Sequence, residues 1–156
     1  MKIKILTIGK LKENYLREAV AEFLKRLKVM ATIEILELKE VSPGKTFSKE
    51  RAVQQEGEQI LKQTKDQQYT IALDEKGKEF SSKEFSVLLK KFKDSGQTVT
   101  FIIGGAFGLD EEVKKRANLI FSMSKMTFTH QMVRVFLLEQ IYRGLSIILG
   151  KEYHNE

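Results

Sequence analysis

The sequence predicts an α/β fold, a mostly parallel sheet flanked by helices. Short apolar runs alternate with stretches whose apolar residues recur at three- and four-residue steps. Such a strand–helix rhythm needs crossover connections, which bring strands together in parallel. The rhythm is firmest from Tyr69 onward, and no internal repeat, low-complexity tract or composition shift marks a linker. Residues 1–156 therefore read as one domain.

The first segment, Lys2 to Lys10, alternates Lys2 and Lys4 with Ile3 and Ile5, then runs apolar to Gly9, as a strand entering a core does. From Glu13 to Lys28, Leu16, Val20, Phe23, Leu24 and Leu27 form the stripe of an amphipathic helix. A second strand is predicted over Thr32 to Leu38. VSPGKTF, from Val41 to Phe47, holds the only proline beside a glycine and reads as a surface loop. Ser48 is the predicted N-cap of a polar helix reaching Thr64. Its apolar stripe, Val53, Ile60 and Leu61, is thin enough to leave one face for solvent or RNA.

The second half reads as a strand over Tyr69 to Asp74, a helix over Ser82 to Lys93, a strand over Thr98 to Ile103, and a helix starting near Asp110. Leu119 to Met123 is a further short strand. The last helix, Gln131 to Leu149, is apolar on nearly every side and is predicted to be buried by the sheet and by a second subunit.

Composition narrows the chemistry. The chain is 42% hydrophobic, yet no stretch approaches the ~20 apolar residues of a membrane span. The most apolar candidate, Met132 to Leu149, carries Arg134, Glu139, Gln140 and Arg143. MKIKILTIGK lacks the apolar core and cleavage site of a signal peptide, so the expected location is the cytoplasm. The absence of cysteine removes disulfides, thiolate ligands and a cysteine nucleophile, and two histidines leave little for a metal site. A net charge of +6 suits a polyanionic partner such as RNA.

In an open parallel sheet, ligands bind at the carboxyl ends of the strands. Three such ends are candidates here: Leu73-Asp74 with the EKGK turn, Gly104-Gly105 in IIGGAFGL, and SKMTFTH after Met123. The glycines of IIGGAFGL leave backbone amides open to a ligand, although they serve equally well in an ordinary strand-to-helix turn. Gly44-Lys45-Thr46 occurs within VSPGKTF, but Lys39 stands where a phosphate-binding loop has its opening glycine, which disfavours ATP or GTP hydrolysis. Ser124 to His130 has a polar backbone that needs partners if buried, and adenine is one; Met126 and Phe128 are otherwise ordinary packing residues. In the last helix Glu139 and Arg143 are spaced to pair, whereas Arg134 has no acidic residue three or four positions away. Arg134 is thus a candidate for a phosphate or a neighbouring subunit. Tyr153 and His154 in the tail GKEYHNE are acid–base or base-stacking candidates.

Together, IIGGAFGL, SKMTFTHQMVRVFLLEQIYRG and the terminal YH resemble the RlmH-type ribosomal RNA methyltransferases of the SPOUT, or trefoil-knot, class. The resemblance extends over MKIKILTIGKLKENY, EGEQIL at Glu56 to Leu61 and LDEKGKEFSS from Leu73, and so over nearly the whole chain. It implies a C-terminal trefoil knot without an appended RNA-binding domain, and a homodimer. It also implies methyl transfer from S-adenosyl-L-methionine to N3 of a pseudouridine in large-subunit (23S) ribosomal RNA, within the ribosome. The cofactor residues it implies are Leu73, Gly104, Gly105, Ser124, Lys125, Met126, Thr127, Phe128 and Thr129. One departure is Thr129, where many relatives have proline. Neither membrane nor metal is implied.

The chemistry so implied is direct displacement after the ring nitrogen loses its proton. His154, with Tyr153, is the candidate to orient the base or take the proton; Arg143 and Arg134 are candidates to hold phosphate or charge developing on the ring. His130 and Glu139 stand second. Two rival readings are a noncatalytic RNA-binding or assembly factor with the same basic surface, and a knotted methyltransferase acting on transfer RNA.

Overall fold

The computed structural model describes residues 1–44, 47–64 and 68–153. Its elements are β1 (Lys2–Ile8), α1 (Asn14–Leu27), β2 (Thr32–Leu38), α2 (Lys49–Gln63), β3 (Tyr69–Glu79), α3 (Ser82–Ser95), β4 (Val99–Ile103), α4 (Glu111–Arg116), β5 (Leu119–Ser122) and α5 (His130–Ile148). The five strands form one sheet in the order β2-β1-β4-β3-β5, with every neighbouring pair parallel. The predicted α/β architecture is thus the observed one.

Alternation along the strands divides the core into two layers. Ile3, Ile5, Phe101 and Ile103 face α1, α3 and α5, where they meet Val20, Leu27, Phe85, Leu89, Leu137 and Ile141. Leu6, Ile8 and Ile102 face α2 and α4, meeting Ile60, Leu109 and Val113. Helix boundaries follow local chemistry. Ser48 accepts a hydrogen bond from the Arg51 amide at 3.3 Å and starts α2 as predicted. Ser81 and Glu84 form a reciprocal capping box at α3, which ends at Gly96 with φ of 69°.

Three elements differ from the sequence reading. β3 does not stop at Asp74: after an irregularity it resumes pairing, Lys78 with Phe121 and Glu79 with Ser122. Gly77 makes this possible, because a Cβ there would lie 2.7 Å from the Ile120 and Phe121 backbone. In α2 the buried line is Ala52, Glu56, Gly57 and Ile60, so a carboxyl and a glycine stand where an apolar stripe was expected. Arg134 is the third: it is buried at 2% exposure, and its partner is Glu37, far away in sequence.

From β3 the chain steps inward to β4, then reverses over β3 to reach the sheet edge at β5. Loops leaving these three strands therefore converge at one end of the sheet, the position where open parallel sheets bind ligands.

Candidate active-site cleft

A cleft of about 900 Å³ opens at the carboxyl ends of β3, β4 and β5. Leu73, Asp74 and Lys76 form one wall, Ile103 to Leu109 the floor, and Met123, Ser124 and Met126 to Val133 the other wall. Glu13, Tyr15 and Leu16 close the far end. All the cofactor-binding candidates except Lys125 line it. A smaller cavity of about 140 Å³, bordered by Thr64, Gln68, Thr70 and Asn118, lies toward the opposite ends of the strands.

The floor takes its shape from glycine. A Cβ on Gly104 would lie 2.6 Å from the Gly108 carbonyl oxygen, and one on Gly105 would lie 2.7 Å from Glu56 Oε2. Gly108 adopts φ of 86° and donates its amide to the Gly105 carbonyl at 3.2 Å, closing a tight loop. The loop ends at Asp110, whose carboxylate accepts the Glu112 amide at 2.8 Å and caps α4.

The β5 loop is held by its hydroxyls. Ser122 Oγ donates to the Ser124 carbonyl at 2.9 Å, and Ser124 Oγ accepts the Met126 amide at 3.0 Å. Thr129 caps α5 by accepting the Met132 amide at 3.3 Å. Thr129 therefore has a capping role of its own.

Charge is placed at both ends of the cleft. Lys114 pairs with Glu111 and, at 3.3 Å, with Asp74. The Glu111 hydrogen bond and the Asp74 charge hold the ammonium pKa above its ordinary value, against burial. At the α5 end, burial pushes His130 toward its neutral form, as do the charges of Arg134 and Lys12; Glu40 opposes them.

Arg134 serves the scaffold. It donates to Glu37 Oε1 at 2.9 Å and to the carbonyls of Ile8 and Gly9 at 2.7 and 2.8 Å. These bonds satisfy the carbonyls that β1 leaves at its exit, the role the local spacing of charges could not show.

The other catalytic candidates gather elsewhere. Arg143 Nε donates to Glu139 Oε1 at 3.0 Å, Tyr153 OH donates to the same oxygen at 3.3 Å, and the Arg143 guanidinium lies 4.9 Å from the Tyr153 ring centre. Tyr153 also packs edge-on against Tyr142, with ring centres 4.6 Å apart. Burial and the Glu139 charge raise the Tyr153 pKa. Arg143 stands ten residues along α5 from Val133, the last cleft residue of that helix, or about 15 Å at the rise of an α-helix. The structure thus brings Arg143, Glu139 and Tyr153 together but not to the cleft beside them in the same chain. His154 lies outside the described residues.

Sequence reasoning passed over Glu56 and the Asp74–Lys114 pair. Glu56 was traceable: Ala52, Glu56 and Ile60 recur at four-residue steps, which places them on one helix face. The Asp74–Lys114 pair spans forty positions and left no local signal.

Comparison with known proteins assigns the family. A family model described as "Predicted SPOUT methyltransferase" matches residues 1–154. Proteins named ribosomal RNA large subunit methyltransferase H are similar over nearly their whole length. That of Caldicellulosiruptor bescii is 47% identical over 97% of this chain and 99% of its own. That of Syntrophotalea carbinolica is 46% identical over 99% of each. Among solved structures, a methylase family protein from Haemophilus influenzae superposes with a TM-score of 0.54 at 12% identity, covering 99% of this chain and 70% of that one. A second, from Neisseria gonorrhoeae, gives 0.50 at 13% identity, covering 90% and 81%. These two likenesses concern the fold alone. The chain belongs to the SPOUT methyltransferase family.

Proposed function

We propose that this enzyme transfers the methyl group of S-adenosyl-L-methionine to N3 of a pseudouridine in large-subunit (23S) ribosomal RNA, with the ribosome as the substrate particle, in the cytoplasm. The observation carrying this reading is the convergence of Leu73, Gly104-Gly105 and the Ser124 to Thr129 loop on one cleft of about 900 Å³. That volume is ample for a nucleoside-sized ligand and leaves room for a second group at the mouth. The relatives named for ribosomal RNA methylation supply the substrate class.

The residues fit the methyl donor. Gly104 and Gly105 form a floor that side chains would fill, and Leu73 with the partly exposed Phe107, Met126 and Phe128 offers apolar surface to an adenine. The sulfonium of the donor supplies an electrophilic methyl whose leaving group is a neutral thioether. The chain's own work is to position the attacking nitrogen, exclude water and take the nitrogen's proton. Arg143 is suited to stabilise negative charge on the ring, Tyr153 to orient the base, and His154 to orient the base or accept its proton.

The homodimer belongs to the same proposal. Arg143, which holds Glu139 and Tyr153 beside it, sits about 15 Å along α5 from the cleft, so a partner's α5 laid across the cleft would bring the group into reach. Half-buried Phe136 and Ile147, which lie off the core cluster, give α5 apolar surface for that contact.

The test is incubation with labelled S-adenosyl-L-methionine and ribosomes lacking the modification, repeated with Arg143→Ala and His154→Ala. Wild-type transfer to N3 of one pseudouridine, strongly reduced in both variants, is the expected result. Transfer undiminished in both removes these residues from the mechanism, and transfer to another RNA removes the substrate assignment.

A further inference from the structure

We propose that helix α2 is the platform that sets the shape of the Gly104–Asp110 loop, with Glu56 as its positioning residue for the methyl donor. The inference rests on the reading that this loop holds the donor.

Helix α2 touches the loop at three points. Near its start, Lys49 Nζ lies 5.3 Å from the ring centre of Phe107, a cleft residue. In the middle, Glu56 Oε2 is packed so tightly under Gly105 that a Cβ there would come within 2.7 Å of it. At the next residue, a Cβ on Gly57 would lie 2.6 Å from Asp110 Cβ, so α2 also presses against the cap that starts α4. Top, floor and end of the loop are each referenced to one rigid helix.

The same helix grips the segment leaving β2. Glu56 Oε1 accepts the Val41 amide at 2.9 Å. Gln59 Nε2 donates to the Lys39 carbonyl at 3.1 Å while its Oε1 accepts the Lys39 amide at 3.2 Å. Glu56 is therefore a strut between two loops, one oxygen for each. It is 4% exposed, and burial pushes its carboxyl toward the neutral form, as does the charge of Glu40; the Val41 bond opposes them. A buried carboxyl is costly in a helix that could have carried an apolar residue there. Its position between Gly105 and the Val41 amide accounts for it.

Positioning through a loop predicts a particular kinetic signature. A loosened floor weakens donor binding, while Arg143, Tyr153 and the RNA surface are untouched, so the loss falls on KM for the donor rather than on kcat. Glutamine reproduces the shape and hydrogen bonding of a neutral carboxyl and is the conservative replacement.

The experiment is calorimetric titration of the full chain with S-adenosyl-L-methionine, paired with steady-state kinetics on ribosomes, for wild type, Glu56→Ala, Glu56→Gln and Gly57→Ala. Expected are donor affinities about tenfold weaker in Glu56→Ala and Gly57→Ala, with kcat at saturating donor within about threefold of wild type. Glu56→Gln stays within about threefold throughout. Circular dichroism identifies folded variants, and Gly57→Ala, an alanine in a helix, carries the test if Glu56→Ala does not fold. Wild-type affinity in a folded Glu56→Ala or Gly57→Ala, or a loss confined to kcat, overturns the positioning role. Absence of donor binding by the wild type overturns the donor cleft itself, a separate result.

Discussion

Arg134 and Glu37 meet at 2.9 Å across 97 positions of sequence, and the same guanidinium holds the carbonyls of Ile8 and Gly9. The pair ties the start of α5 to the exits of β1 and β2, which fixes the cleft wall built from residues 129–133.

Replacing Arg134 with methionine removes these bonds and leaves Glu37 unpaired. Breaking a buried pair costs a few kcal/mol, and Glu37 retains some access to water, so a loss of about 2–3 kcal/mol is expected in urea denaturation. RNA affinity of the folded fraction should be unchanged. A variant of wild-type stability that has lost RNA binding would return Arg134 to the role of a phosphate contact.

Gly77 is the second structural test. Alanine there forces a Cβ to within 2.7 Å of the Ile120 and Phe121 backbone, which has no flexible side-chain end to move aside. The expected cost is about 1–3 kcal/mol, with β5 and its loop most exposed to hydrogen exchange. Alanine at Gly44, which has open space around it, serves as the control.

The partner's contribution can be read by complementation. Gly104→Ala should disable the cleft, and Arg143→Ala the group on α5. If one active site takes its cleft from one subunit and Arg143 from the other, an equal mixture of the two inactive variants, after subunit exchange, regains about a quarter of wild-type activity. Half the dimers are then mixed, and each has one intact site. No recovery would place Arg143 in the site of its own chain.

The pH dependence of stability isolates His130. Its folded pKa lies below the ordinary value, so about a unit above pH 6.5 the imidazole is neutral in both states and contributes no slope. As pH falls below that, the unfolded chain takes the proton first, and stability drains until the folded pKa is passed. Urea denaturation from pH 5 to 8 should show a smaller acid-side loss in His130→Gln than in wild type. The difference between the two should be flat above about pH 7.5. A difference that grows instead on the alkaline side would reverse the direction assigned to His130.

Glu56 titrates with the opposite slope. Burial raises its pKa, so its contribution is fully present below about 4.5 and is lost as pH rises through the folded value. Comparison of Glu56→Gln with wild type should show the variant gaining relative stability as pH rises from 4 to 7. Equal slopes would mean that the carboxyl ionises as freely in the folded chain as in the unfolded one.

Much of this molecule is written locally. Apolar steps of two and of three or four residues, with Ser48, Asp110 and the glycines as punctuation, determine the order of strands and helices; parallel crossovers then put the useful loops at one end of the sheet. The positions at Leu73, Gly104 and Ser124, where β3 breaks register and the chain leaves β4 and β5, were legible for that reason. Pairing across the fold was not. Arg134 reads as unpartnered until β2 places Glu37 beside it, Glu56 draws no notice until Gly105 closes over it, and Arg143 reads as a partner of Glu139 and a candidate for ring charge until ten residues of α5 set it about 15 Å from the cleft wall. Periodicity records which face of an element is buried; only the folded chain brings specific groups from distant positions within hydrogen-bonding distance, and that proximity decides their chemistry.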